Sequence, residues 1–275
     1  MAQTRPARPA RPATATTASH ASKAKTKKRA RGGGEDGDNS RSKRRKPVQG
    51  HGDDDLDLDL DLAAGLNKKI GLLDSMLLAD HLAQKTRRFG SDLTPVELSA
   101  LDISPNAITD SSSFSKPRAL ENLPAFLEAH AGGKPKTLGD APEENGTPHT
   151  IIVTGAGLRA AELARAVRKY QSKDITVGKL FAKHIKIEET KKFLASHRTG
   201  VAVGTPVRLN DLAESGELKL DKLERLVVDA SHIDQKKRGI MDMRETMIPL
   251  ARWLSRTEFK VKYTDPERPL QLLFY

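Results

Sequence analysis

The chain predicts an α/β fold: a mostly parallel sheet flanked by helices on both faces, preceded by a disordered N-terminal tail. Two observations carry the sheet. From Pro148 onward, short apolar runs alternate with segments of helical spacing. Two of those runs, Val201-Ala202-Val203-Gly204 and Leu226-Val227-Val228-Asp229, are apolar throughout, as strands covered on both faces must be. The second run ends on a carboxylate, and the C-terminal ends of parallel strands are where open α/β sheets place their ligand sites.

Residues 1–61 read as the tail, basic and then acidic. Residues 1–50 hold 14 Lys and Arg against 3 acidic residues, a net of +11 that equals the formal charge of the whole chain, so the remainder is balanced. Met1 and Val48 are the large apolar side chains of that stretch, too few for burial to offset the entropy of ordering it. One basic cluster comprises Lys23, Lys25, Lys27, Lys28, Arg29 and Arg31, and a second comprises Arg41, Lys43, Arg44, Arg45 and Lys46. Clusters of this kind suit a nuclear import receptor and also the phosphates of nucleic acid, whose condensed counterions are released on binding. Over residues 53–62 Asp alternates with Leu. Strand pairing would align the like charges on one face, so the segment reads as an acidic linker or a docking motif.

Residues 62–92 read as an amphipathic helical segment, because Leu62, Leu66, Ile70, Leu73 and Leu77 recur at steps of three and four. The spacing predicts a helix as far as Phe89, packed either on the domain or on a partner. A domain over 93–275 then opens at Thr94-Pro95-Val96-Glu97, which has the capping-box pattern with Pro at the first helical position. A further helix is expected over 119–130. Strands follow over 150–154, 175–180, 201–204, 225–229 and 270–274, separated by helices over 160–170, 188–195, 209–215 and 241–254.

Composition also excludes. There is no Cys, so neither a disulfide framework nor a thiolate metal site is available, and an intracellular compartment is expected. No apolar h-region follows the N-terminal basic residues and no run of about 18 apolar residues occurs, so no membrane partner is expected. His184, His197 and His232 are too far apart for a metal set. Ser231 and His232 beside Asp229 lack the G-x-S-x-G elbow of a hydrolase. No catalytic residue, metal, cofactor or small-molecule substrate is expected.

From about Leu123 onward, the order and spacing of motifs resemble the first RecA-like domain of the DEAD-box RNA helicases. Glu162-Leu163-Ala164 is similar to the end of motif Ia, and Gly204-Thr205-Pro206-Val207-Arg208-Leu209 to G-T-P-G-R-L, with Val207 in place of the second Gly. Leu226-Val227-Val228-Asp229-Ala230-Ser231-His232 stands where V-L-D-E-A-D would be. Ala230 replaces the catalytic Glu and His232 the second Asp. Where a P-loop belongs, Asp110-Ser111-Ser112-Ser113-Phe114-Ser115-Lys116-Pro117-Arg118 contains no glycine to let backbone N–H groups cradle phosphates. The resemblance is therefore to a single RecA-like, P-loop NTPase-like domain lacking the P-loop. A basic tail, an acidic linker and one such degenerate domain together resemble the Cms family, described as subunits of U3-containing 90S pre-ribosomal particles.

That resemblance implies a non-enzymatic factor of small-subunit ribosome assembly in the nucleus and nucleolus. The implied partners are pre-ribosomal RNA or a small nucleolar RNA, 90S pre-ribosomal proteins and a nuclear import receptor. By position in the motif, Gly204, Thr205 and Arg208 are candidates to contact RNA phosphate; the alternative is that Arg208 serves the structure and Thr205-Pro206 starts the next helix. A chromatin or DNA-associated scaffold, or a nucleotide-binding adaptor, are the other readings. A rival signal is Gly155-Ala156-Gly157-Leu158-Arg159-Ala160, which fits the dinucleotide fingerprint G-x-G-x-x-A but also a plain strand-to-helix turn. The acidic residue in the range expected for a ribose contact is Asp174.

Overall fold

The computed structural model describes residues 59–182 and 185–275. The tail clusters, most of the Asp-Leu repeat and His184 lie outside the described residues.

The described chain opens with a two-residue antiparallel pair, β1 (Leu60–Asp61) and β2 (Leu66–Asn67), followed by a 3-10 turn at Lys68–Leu72 and helix α1 (Ser75–Phe89). The expected helix over 62–89 is thus present only in its second half, for local reasons. Gly65 turns the hairpin at φ +63°, in the left-handed region that favours glycine. Asn67 N–H donates to Ser231 O (2.7 Å) and Ile233 N–H to Gly65 O (2.9 Å), so the backbone here pairs with a distant loop instead of with itself. Asp74 then caps α1, its Oδ1 accepting from Leu77 N–H at 2.9 Å. Leu66 and Ile70 are buried as the spacing required, though not in a helix. Leu78, Ala79 and Leu82 of α1 enter the main core, so this segment packs on the domain.

Helix α2 (Pro95–Ala100) starts at the capping box: Thr94 N–H donates to Glu97 Oε2 (2.8 Å) and Glu97 N–H to Thr94 Oγ1 (3.3 Å). Thr94→Ala should cost about 1 kcal/mol, read as a lower midpoint in chemical denaturation with an unchanged slope. Helix α3 (Leu123–Ala129) follows a 3-10 turn. The sheet is then built from β3 (Thr150–Val153), α4 (Gly157–Ala166), β4 (Ile175–Leu180), α5 (Ile187–Ser196), β5 (Arg198–Gly204), α6 (Pro206–Glu214), β6 (Arg225–Val228), α7 (Arg244–Leu254), α8 (Thr257–Tyr263) and β7 (Gln271–Phe274). Helix α6 begins three residues earlier than expected because Pro206 serves as its first residue. Helix α8 is an addition to the expected set.

The five strands lie in the order β4-β5-β3-β6-β7 and every pairing is parallel. Their side chains divide by the two-residue period of a strand. Ile151, Val153, Ala202, Leu226, Val228, Leu272 and Phe274 face one core, which receives α1, α6, α7 and α8. Ile152, Val201, Val203, Val227 and Leu273 face the other, with α3 and α4. Burial on both sides is why these runs carry no polar alternation. At the outer edge of β7, Ile108 makes a single parallel bridge to Leu272, with Thr109 N–H on Leu272 O at 2.8 Å. From there residues 110–118 pass over the C-terminal end of the sheet.

Candidate functional site

The loops after β3, β5 and β6 gather at that end, with Tyr275 after β7. Asp229 follows β6 directly and is 1% exposed. Its Oδ2 accepts from Thr154 Oγ1 (2.8 Å) and Arg159 Nε (3.0 Å), and its Oδ1 from Arg159 Nη2 (3.2 Å). Burial opposes the charge on Arg159, but the carboxylates of Asp229 and Glu162 more than restore it, holding the guanidinium above its ordinary value. The carboxylate that a helicase-type ATPase aims at Mg²⁺ is here consumed by a two-point ion pair and a hydroxyl. The next residue is Ala230, whose methyl side chain cannot polarise a water.

The same contacts explain the glycine turn. Arg159 lies in the first turn of α4 and points across to Asp229, away from any ligand above the helix. A Cβ on Gly155 would sit 3.3 Å from Ile240 Cα, so this glycine admits the loop after β6 rather than a pyrophosphate. Asp174 precedes β4 and therefore lies at the opposite end of a parallel sheet. The turn thus has a packing role, and the dinucleotide reading loses its ribose partner.

Residues 110–118 are fixed by Arg118, which is 6% exposed. Its Nη2 donates to Ser111 O (2.8 Å) and Gly71 O (3.2 Å), and its Nη1 to Ser111 Oγ (3.2 Å) and Phe274 O. The guanidinium lies 4.9 Å over the Phe126 ring. Burial lowers its pKa to about 10, so it stays charged at neutral pH, and its hydrogen-bond partners are all neutral. In the position of a phosphate-cradling loop, the chain has a segment stitched to the sheet by its own arginine.

Of the expected phosphate contacts, Gly204 is buried at the end of β5, where a Cβ would come within 2.7 Å of Leu180 O and of Leu209. Thr205 is half-buried at the rim, at the N-cap position of α6 but without a side-chain capping bond, and its N–H donates to Leu180 O at 3.2 Å. Arg208 turns inward. It is 8% exposed, with Nη1 on Thr190 Oγ1 (3.0 Å) and Nη2 on Ile185 O (3.1 Å), and so ties α6 to α5. Thr205 alone of the three is partly exposed, beside the buried end of β5 at Gly204, and the Arg208 head group is turned away from it.

Ser231 and His232 form no triad with Asp229. Ser231 Oγ is buried without a hydrogen-bond partner among the described residues, and burial lowers the pKa of half-buried His232. His197 stacks on Phe193 at 4.6 Å. Among the described residues no group of His, Asp and Glu is placed to hold a metal ion, and no helix is long and apolar enough to cross a membrane. A surface element that sequence reasoning missed is the basic turn Lys236-Lys237-Arg238. Asp234 organises it by accepting from Lys236 N–H (2.8 Å), Arg238 N–H (2.9 Å) and Arg238 Nη2 (2.8 Å), and Lys237 adopts φ 60°.

Comparison with known proteins gives a family. The profile of the family described as "CMS1: U3-containing 90S pre-ribosomal complex subunit" matches residues 11–275. Protein CMS1 of Chaetomium thermophilum is 61% identical over 212 residues, covering 77% of this chain and 84% of that protein. Protein cms1 of Schizosaccharomyces pombe is 29% identical over 198 residues, covering 72% and 69%. Human Protein CMSS1 is 40% identical over 95 residues, 34% of each chain. Among solved structures, the RNA helicase Prp28 of Chaetomium thermophilum bound to ADP aligns over 75% of this chain and 43% of its own, with a TM-score of 0.33 and 16% identity. On the extent of the profile match and the identity to the Chaetomium protein, the chain belongs to the CMS1 family of U3-containing 90S pre-ribosomal complex subunits.

Proposed function

We propose that this chain is a non-enzymatic nucleolar factor of small-subunit ribosome assembly. In this reading it binds pre-ribosomal RNA or a small nucleolar RNA, together with proteins of the 90S particle, through its basic tail and a catalytically dead helicase-like domain. The observation that carries the reading is the fate of Asp229: this carboxylate at the C-terminal end of β6 is buried and accepts three hydrogen bonds from Arg159 and Thr154, which engage both of its oxygens within the fold. The family description supplies the particle. The charge distribution supplies the mode of binding, because the whole net charge sits in residues 1–50, where it favours sequence-tolerant contact with phosphates. The same two clusters serve an import receptor. On the domain, the Thr205 hydroxyl with the Gly204 backbone is the phosphate contact, and Arg208 acts indirectly by holding the helix that follows them.

Ultraviolet crosslinking of the tagged protein in cells, with sequencing of the recovered RNA, tests this, alongside a form lacking residues 1–50. Reads concentrated on pre-ribosomal RNA or a small nucleolar RNA are expected, with reduced but persistent recovery without the tail. Recovery of no RNA above background, or of chromatin DNA instead, would overturn the RNA-binding reading.

A further inference from the structure

The loop after β6 carries the basic turn 236–238 at the C-terminal end of the sheet, the end at which Thr205 is partly exposed. Its base is anchored. Ile240 is buried and lies against Gly155, and Gly239 N–H donates to Asp242 Oδ2 at 2.8 Å. Asp234 N–H donates to Arg238 O and Lys237 N–H to Asp234 O, both at 2.9 Å, which closes the turn. The Asp234 carboxylate accepts from the N–H groups of Lys236 and Arg238 and from Arg238 Nε (3.1 Å) and Nη2 (2.8 Å), and the bond to Arg238 holds it below the usual carboxylate range. One of three cations is thus offset by the turn's own acid. Gln235, Lys236, Lys237 and Arg238 are all exposed, and Lys236 has no ion-pair partner among the described residues.

Lys237, at φ 60°, is the non-glycine residue with positive φ among the described residues. A side chain there crowds its own carbonyl, and glycine would take the same backbone without that cost, so a lysine is held where the turn alone would favour glycine. Backbone strain of this kind collects at ligand clamps. The chemistry of the turn selects the ligand. No large apolar side chain is exposed over 231–243, whereas protein partners are anchored by buried apolar and aromatic groups. A phosphate backbone asks only for charge and donors. We infer that the turn 236–238 is a contact for the phosphate backbone of single-stranded RNA on the domain itself, with Lys236 and Lys237 meeting successive phosphates and Asp234 holding the turn in its bound shape. Because four bonds to Asp234 fix the turn beforehand, little ordering is left to binding. The inference rests on the RNA-binding reading above and adds a contact separate from both the tail and the Gly204–Thr205 loop.

Two measurements on the full-length protein test it. Lysine acetylation by an amine-reactive reagent, read by mass spectrometry with and without a saturating oligouridylate, should show Lys236 protected by the RNA. Fluorescence anisotropy with the same labelled oligouridylate should show the double variant Lys236→Ala with Lys237→Gly binding about tenfold more weakly at 100 mM salt, with a slope of log K against log salt shallower by about 1.4, from two phosphates at about 0.7 each. Glycine accepts the backbone at 237, and Asp234 and Arg238 stay in place, so the melting temperature of the variant should not fall. The acetylation measurement needs no variant and stands if this one folds poorly. Protection confined to lysines of residues 1–50, with the wild-type slope kept in the variant, would overturn the assignment of the turn while leaving RNA binding intact. No binding of the oligouridylate by the full-length protein would fail both. Protection of Lys236 by an oligoglutamate peptide as strong as that by RNA would reassign the turn to an acidic protein and overturn the inference.

Discussion

Asp229→Ala is expected to lower stability by about 3–5 kcal/mol, because it strands the buried Arg159 guanidinium without its carboxylate. For a folded region of this size that is a fall in melting temperature of roughly 6–20 °C. Both partners are almost fully buried, so solvent does little to compensate. Thr154 loses an acceptor as well, which adds to the cost. Replacing both members with apolar residues, Asp229→Leu with Arg159→Met, should recover much of the loss, since a buried ion pair is often no more stabilising than a well-packed apolar pair of similar size. Thermal denaturation of the two single variants and the double variant checks this. If Asp229 served as a metal ligand instead, the single change would leave stability nearly unaltered or raise it, by removing a buried carboxylate with no permanent partner.

Removing residues 1–50 is expected to change RNA affinity more than any substitution in the domain. The two clusters carry 11 cations. With about six of them on phosphates of single-stranded RNA, the slope of log K against log salt is about −4, a loss of roughly 10²–10³-fold between 50 and 200 mM salt. The truncated form should start weaker and show a shallow slope. Fluorescence anisotropy with a labelled oligonucleotide at four salt concentrations measures both slopes, and equal slopes for the two forms would remove the tail from the binding account.

The sheet was the most legible part of the chain. Ile151 to Val153, Val201 to Val203 and Leu226 to Val228 are buried on both faces, and double burial leaves an uninterrupted apolar run that no other local structure explains as well. The capping box at Thr94 was equally direct, since its two side chains satisfy each other within four residues. The segment over 62–74 misled because apolar spacing reports which residues are buried, not the backbone that buries them. Gly65 at positive φ and the pairing of Asn67 with Ser231 set that backbone, and the second is a contact across more than 160 residues. Asp74, a sound helix-start signal, was available and marks the true beginning of α1. Helix α8 was hidden by its brevity, although Phe259 and Tyr263 are spaced one turn apart on its buried face.

At the candidate site, the absences were readable and the replacements were not. The missing glycines of 110–118 and the Ala at 230 stand in the sequence itself. The sequence assigned no partner to Arg118 or Arg159 and left Arg208 open between a phosphate contact and a structural role, because the groups that bury these arginines are distant along the chain. Arg118 reaches Phe274 O across 156 residues, Arg159 reaches Asp229 across 70, and Arg208 reaches Thr190 across 18. Arg118 and Arg159 are bound within the fold at the C-terminal end of the sheet, and Arg208 ties α6 to α5 away from the loop that precedes it.

The most direct test of that account is the release of inorganic phosphate from ATP and Mg²⁺ by the full-length protein, with and without a saturating single-stranded RNA. With Asp229 locked to Arg159 and residues 110–118 pinned by Arg118, release should equal the protein-free blank in both conditions. RNA-stimulated release above the blank, lost in Asp229→Asn, would contradict the account and return the carboxylate to catalysis.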